Sequence, residues 1–172
     1  TFWSKETLLL INNIILVVAT AMVLLGTLYP LVLDSLTGAK LSVGPPYFNA
    51  LFVPLMGILM LAMGVGVLTR WKNTPTQWLI KMIAPILVAS AVIAGVGSLL
   101  YRDFNIAVLG LFFLCAWVLL ASLRDIMDKT RHKGLLRGMR SLTRSYWGMQ
   151  LGHLGMVLMA VGVVLSSQYS DE

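Results

Sequence analysis

The chain has 172 residues, 58% of them hydrophobic and only 12% charged, with a mean hydropathy of +0.86 and a formal net charge of +6. Soluble domains carry about 25% charged residues, and a water-soluble core of this size would leave much apolar surface uncovered. The composition therefore excludes an ordinary soluble domain and points to an all-α integral membrane chain in which lipid covers the remainder.

Five apolar blocks are long enough to cross a bilayer, which takes roughly 20 mostly apolar residues. Leu8–Tyr29 is the first. Asn12 and Asn13 lie early in it, where they either hydrogen-bond across helices or face the headgroups. A loop over Leu31–Phe48 follows, holding Asp34, Gly38, Gly44, Pro45, Pro46 and Tyr47. Its glycine and paired prolines predict an extended, rigid entry to the second block, Asn49–Thr69. Tyr29 and Tyr47 stand where aromatic residues anchor at the interface. The short connection Arg70–Trp78, with Trp71 and Trp78 at its ends, leads to the third block, Leu79–Leu100. Tyr101–Asn105 is so brief that this block and the fourth, Ile106–Ser122, must be antiparallel neighbours. A basic loop, Arg124–Arg144, precedes the fifth block, Trp147–Ser166. No block alternates strictly, so a β-barrel is not expected. Residues 1–172 read as one helical bundle.

Within the blocks, Gly57, Gly64, Gly66, Gly95 and Gly97 predict close helix approach. Pro54 and Pro85 predict kinks or first-turn positions. Cys115, among Phe112, Phe113 and Trp117, reads as a small apolar filler. Thr1–Thr7 lacks the pattern of a signal peptide. Asp34, Asp103, Asp125 and Asp128 are all expected in loops, leaving the mid-helix stretches without acids.

Charge sets the expected orientation. Eleven of the 13 Lys and Arg residues fall on one side: Lys5, Arg70, Lys72, Lys81, Arg124, Lys129, Arg131, Lys133, Arg137, Arg140 and Arg144. Lys40 and Arg102 fall on the other. Short basic loops stay in the cytoplasm, so the N-terminus is expected there, the C-terminus outside, and the number of crossings is odd. The net charge then needs no nucleic-acid partner, and the sequence has no phosphate loop, dinucleotide glycine box or base-stacking platform. Arg124–Arg144 reads first as topology control, with a protein partner or an anionic-lipid site as the functional alternative.

The fifth block carries His153, about six positions inside it and so roughly 9 Å along the axis. A polar ring at that depth is costly without a partner and marks a functional candidate. Gly148, Gly152, Gly155 and Gly162 form a stripe without side chains beside it, and Met149 and Met156 lie above and below it on its own face. Such a groove beside an imidazole could admit a planar macrocycle, since histidine is a common axial ligand of haem iron. A hydrogen bond to another helix, or a place on a proton or substrate path, are the other readings. His132, between Arg131 and Lys133, reads as solvated charge. No Cys–His cluster suggests zinc.

Three stretches resemble the CcmF family of bacterial cytochrome c maturation. They are SKETLLLINN at Ser4–Asn13, GTLYPL and SVGPPYFN within Gly26–Asn49, and GHLG at Gly152–Gly155. The first two are specific, and the order and surrounding helices match. A lyase subunit of nitrite-reductase assembly, of the NrfE type, belongs to the same superfamily. The resemblance implies a haem lyase subunit of the bacterial inner membrane. It would take haem from a CcmE-type chaperone and, with CcmH/CcmI-type lyase subunits, join it to the Cys-x-x-Cys-His motif of apocytochrome c on the periplasmic side. It also implies a membrane haem b between two histidines, with quinol as electron source, and His153 matches one of the two. The family's other membrane histidine, its tryptophan-rich periplasmic segment and the two histidines flanking that segment lie upstream of the stretch matched here. The family also continues into a periplasmic domain beyond it. Because Thr1 is not a start methionine, the chain is expected to be a segment of a longer protein or one piece of a split one. The competing class is a transport or structural membrane subunit with a packing or proton-path histidine. Transporters more often show several intramembrane charges or matched broken helices.

Overall fold

The computed structural model describes residues 4–70, 72–101 and 105–169, with side chains to residue 166. Trp71, Arg102 and Asp103, to which the sequence gives places in loops, lie outside the described residues. The described chain is helical and has no strand: α1 (Lys5–Thr37), α2 (Pro45–Leu68), α3 (Thr76–Leu100), α4 (Ile106–Thr130), α5 (Leu135–Ser141) and α6 (Arg144–Tyr169). All but α5 are long and apolar enough to cross a membrane.

Local chemistry sets the helix ends. Ser4 caps α1 by accepting from the Thr7 N–H at 3.2 Å, satisfying one of the donors that a helix start leaves free. The helix does not stop at Tyr29. It passes through Pro30 and closes at Gly38, whose φ of 70° lets its N–H reach Asp34 O at 2.9 Å. The expected Leu31–Phe48 loop therefore shrinks to residues 38–44, and Asp34 is helical. Pro45 and Pro46 are not an extended lead-in but the first residues of α2. Their fixed φ suits a first turn, and the N–H they lack would have no helical partner there. Pro54 and Pro85 lie inside α2 and α3.

The fourth helix is the largest correction. Asn105 caps it, and it runs to Thr130, so Asp125 and Asp128 are helical rather than in a loop. Arg124–Asp128 at 3.5 Å and Lys129–Asp125 at 3.4 Å are paired one turn apart, which supports a helix there. The rest of the expected basic loop holds the short α5.

The helix α4 is the hub. It packs most extensively on α3 and also on α2 and α6. Against it α3 buries Ile86, Ser90, Ala94 and Ser98, a residue every fourth position whose small members allow close approach. Toward α2, the Trp117 indole lies over Gly64, where any Cβ would collide with it, and donates to Leu61 O at 3.2 Å. Gly26 admits the Tyr47 ring in the same way, an ideal Cβ lying 2.6 Å from Tyr47 Cε1, while Tyr47 donates to Met22 O at 3.1 Å. Gly97 takes Phe112, but Gly95 faces open space, so it does not carry the close contact expected of it. Met60, Leu68, Leu79, Trp117, Val118 and Val157 form the centre of the core, with Cys115 at its edge.

The cationic helix ends gather at one end of the bundle. The Lys5 N–H donates to Arg70 O at 3.1 Å, the Arg70 guanidinium lies 4.8 Å from the Trp78 ring centre, and the end of α4 meets the start of α6.

Candidate functional site

Tyr146, Gln150 and His153 recur on α6 at spacings of four and three, so they share one helical face. The first two lock α6 to α4. Tyr146 donates to Asp125 Oδ2 at 2.6 Å, and Gln150 Nε2 donates to the Tyr146 hydroxyl at 2.9 Å. Lys129 completes the group, 3.4 Å from the same carboxylate oxygen and 4.1 Å from the Tyr146 ring centre. Asp125 and Gln150 are both buried. A carboxylate out of water needs such partners, so the network fixes where α6 can sit. The sequence reading missed it, because Asp125 stands in a charged run. The signal present was the opposite-charge pairing of residues 124 with 128 and 125 with 129, a helical spacing.

One turn further into the apolar block lies His153. Apart from its contact with α4, α6 stands off from α1 and α2. The gap is a cavity of about 350 Å³ lined by Leu8 and Asn12 of α1, Met63 and Gly66 of α2, and Met149 and His153 of α6, with Lys5 at its edge. Asn12 thus faces a cavity, while Asn13 is exposed. Met149 shares the His153 cavity. Met156 does not: it borders a separate cavity of about 210 Å³ between α2, α4 and α6. His132 is exposed, away from this site.

Two observations bear on what the site can hold. His153 Nδ1 is buried and has no hydrogen-bond partner among the described residues. That is a costly state unless the ring meets another group. The glycines at 148, 152, 155 and 162 would each accept a Cβ with nothing within 4 Å. They pack no described helix, and none of them lines the His153 cavity, so the glycine stripe lies on another face of α6. An imidazole that lines a largely apolar cavity fits axial ligation of a haem. It does not fit a closed zinc site, which needs four protein ligands, and no three His, Cys, Asp or Glu side chains gather among the described residues.

No family model and no solved structure matches the chain. Curated relatives do. The chain is 68% identical over 170 residues to the cytochrome c-type biogenesis protein CcmF of Pseudomonas fluorescens, an alignment covering 99% of the chain and 26% of that protein. It is 36% identical over 172 residues to CcmF of Escherichia coli K12, with the same coverage of 99% and 26%. To the cytochrome c-type biogenesis protein NrfE of Haemophilus influenzae it is 30% identical over 171 residues, again covering 99% and 26%. The chain thus spans about a quarter of the length of the curated relatives it matches. With 68% identity to CcmF proteins of two Pseudomonas species sustained over 99% of its length, this chain belongs to the CcmF family, as a segment of it.

Proposed function

We propose that this chain acts in cytochrome c maturation as part of a haem lyase of the bacterial inner membrane, and that His153 is one axial ligand of a membrane haem b. The observation that carries the reading is the buried, unpartnered Nδ1 of His153 beside a cavity of about 350 Å³. The similarity to cytochrome c-type biogenesis proteins supports the wider role in cytochrome c biogenesis.

Haem b, when bound, supplies a redox-active iron whose potential axial ligation and burial tune. The chain's own residues do the rest. His153 would hold the iron through its imidazole. Leu8, Met63 and Met149 keep the surroundings apolar, which excludes water. Asp125, Tyr146 and Gln150 hold α6 at a fixed height on α4. The second ligand would come from a helix outside this segment, and quinol would supply the electrons. The basic end of the bundle faces the cytoplasm, placing the C-terminus of the segment in the periplasm. There the whole protein takes haem from a CcmE-type chaperone and joins it to apocytochrome c, together with CcmH/CcmI-type subunits.

Visible spectra of the full-length protein, oxidised and dithionite-reduced, test this with His153→Ala. A low-spin b-type signal that is lost or turns high-spin in the variant is the expected result. An unchanged signal makes His153 structural. No haem in either form favours a transport or scaffold subunit.

A further inference from the structure

The basic segment between α4 and α6 plays no part in the haem site, yet it is built with care. The helix α5, Leu135–Ser141, is pinned at both ends of its turn. Gly138 is buried against Thr130, where a Cβ would lie 2.7 Å from Thr130 Cα. The Trp147 indole of α6 donates to Met139 O at 3.3 Å. These contacts hold α5 beside the last turn of α4 and the first turn of α6, which is the level where apolar helix meets cationic end. Tryptophan is the residue enriched at that level of a bilayer.

What α5 then presents is mixed. Leu135 and Leu136 are 64% and 76% exposed. Between and around them stand the exposed cations Arg131, Lys133, Arg137, Arg140 and Arg144. Among the described residues no carboxylate pairs with any of the five, because Asp125 and Asp128 are taken by Lys129 and Arg124. Water alone would leave two leucines unburied. A protein surface would have to be both acidic and greasy. A phospholipid surface supplies both chemistries in the right order of depth: acyl chains for the leucines and phosphates for the cations.

We infer that α5 and its flanking turns form an interfacial binding site for anionic phospholipid, with Arg137 and Arg140 on the headgroup phosphate and Leu135 and Leu136 at the acyl boundary. The inference is independent of the haem reading. It goes beyond topology control, which needs the charge of this segment but neither the helix nor its exposed leucines.

The test is a lipid titration of the detergent-purified full-length protein by native mass spectrometry, comparing phosphatidylglycerol with acyl-matched phosphatidylcholine. Phosphatidylglycerol should bind more tightly. Arg137→Gln should weaken it about fivefold, the worth of one interfacial cation, and Arg137→Gln/Arg140→Gln should bring it near the phosphatidylcholine level. Arg137→Lys/Arg140→Lys should keep most of the preference, and Leu135→Ser/Leu136→Ser should weaken both lipids. All of these side chains face outward, so the helix content seen by circular dichroism should not change. Equal binding of the two lipids, or a preference that survives the double glutamine variant, overturns the inference. So does displacement of phosphatidylglycerol by inorganic phosphate, which would mark a simple anion site. Loss of a co-purifying protein in the double variant with lipid preference intact would make the surface a protein dock instead, and likewise overturns it.

Discussion

Tyr146 shows how much a single hydroxyl can hold. It donates at 2.6 Å to Asp125, accepts from Gln150 and lies under Lys129. Tyr146→Phe leaves the ring in place and removes the only tyrosine atom that the buried carboxylate uses. The expected cost is about 1–3 kcal/mol, that of orphaning a buried polar group, read as a lower unfolding midpoint of the full-length protein in detergent. A midpoint equal to wild type would mean that the network carries no weight. Gly64 makes a second residue-scale case. Gly64→Leu forces side-chain atoms into the Trp117 indole and should destabilise by about 1–3 kcal/mol or more, as overpacking does. At Gly95 a Cβ meets open space, so Gly95→Ala should be nearly silent. His153 stood out in the sequence as a candidate because a lone ring inside an apolar block differs from its neighbours, and the structure places it on a cavity. Asp125 was not, because an acid within a run of charges looks solvated until its helix partners are known. Gly95 and Gly64 are indistinguishable in sequence, since only the facing residue decides what a missing Cβ is for.

At the scale of elements, hydropathy found all five long helices but ended two of them early. It loses a helix where the chain leaves the apolar layer. At 33 residues, α1 is about 50 Å long, well beyond a hydrocarbon core of about 30 Å. Its last turns carry Asp34 and Ser35, and Pro30 stands before them, so polarity and a proline together mimic an end. The backbone continues because proline removes one hydrogen bond without breaking the others. The extension of α4 to Thr130 has a similar origin: its last two turns are held by side-chain pairs rather than by apolar burial. The short α5 depends on Gly138 lying against Thr130. Gly138→Val should lift α5 off α4 and speed tryptic cleavage after Arg137 and Arg140 in the full-length protein, with the long helices intact. Cleavage no faster than wild type would show that α5 does not depend on this contact.

For the whole molecule, the clustering of Lys5, Arg70, Lys129 and the α5 cations at one end is a structural fact, and the side of the membrane it faces is a prediction. With Cys115 replaced by alanine, Lys133→Cys in intact cells should resist a membrane-impermeant maleimide, and Lys40→Cys should react. The reverse pattern would invert the bundle and move the C-terminus of this segment to the cytoplasm. The fold class was legible because lipid imposes its own length and composition rules. The cavity was not, since it arises from α6 standing off from α1 and α2, a matter of packing between distant parts of the chain.

The central claim is that the imidazole of His153 ligates haem iron, and it is tested most directly by removing only that ring and giving it back. In the full-length protein, His153→Gly should convert a low-spin reduced spectrum to a high-spin one or lose the haem, and added free imidazole should restore the low-spin signal by entering the cavity that the side chain vacates. A His153→Gly variant that stays low-spin without imidazole would contradict the assignment.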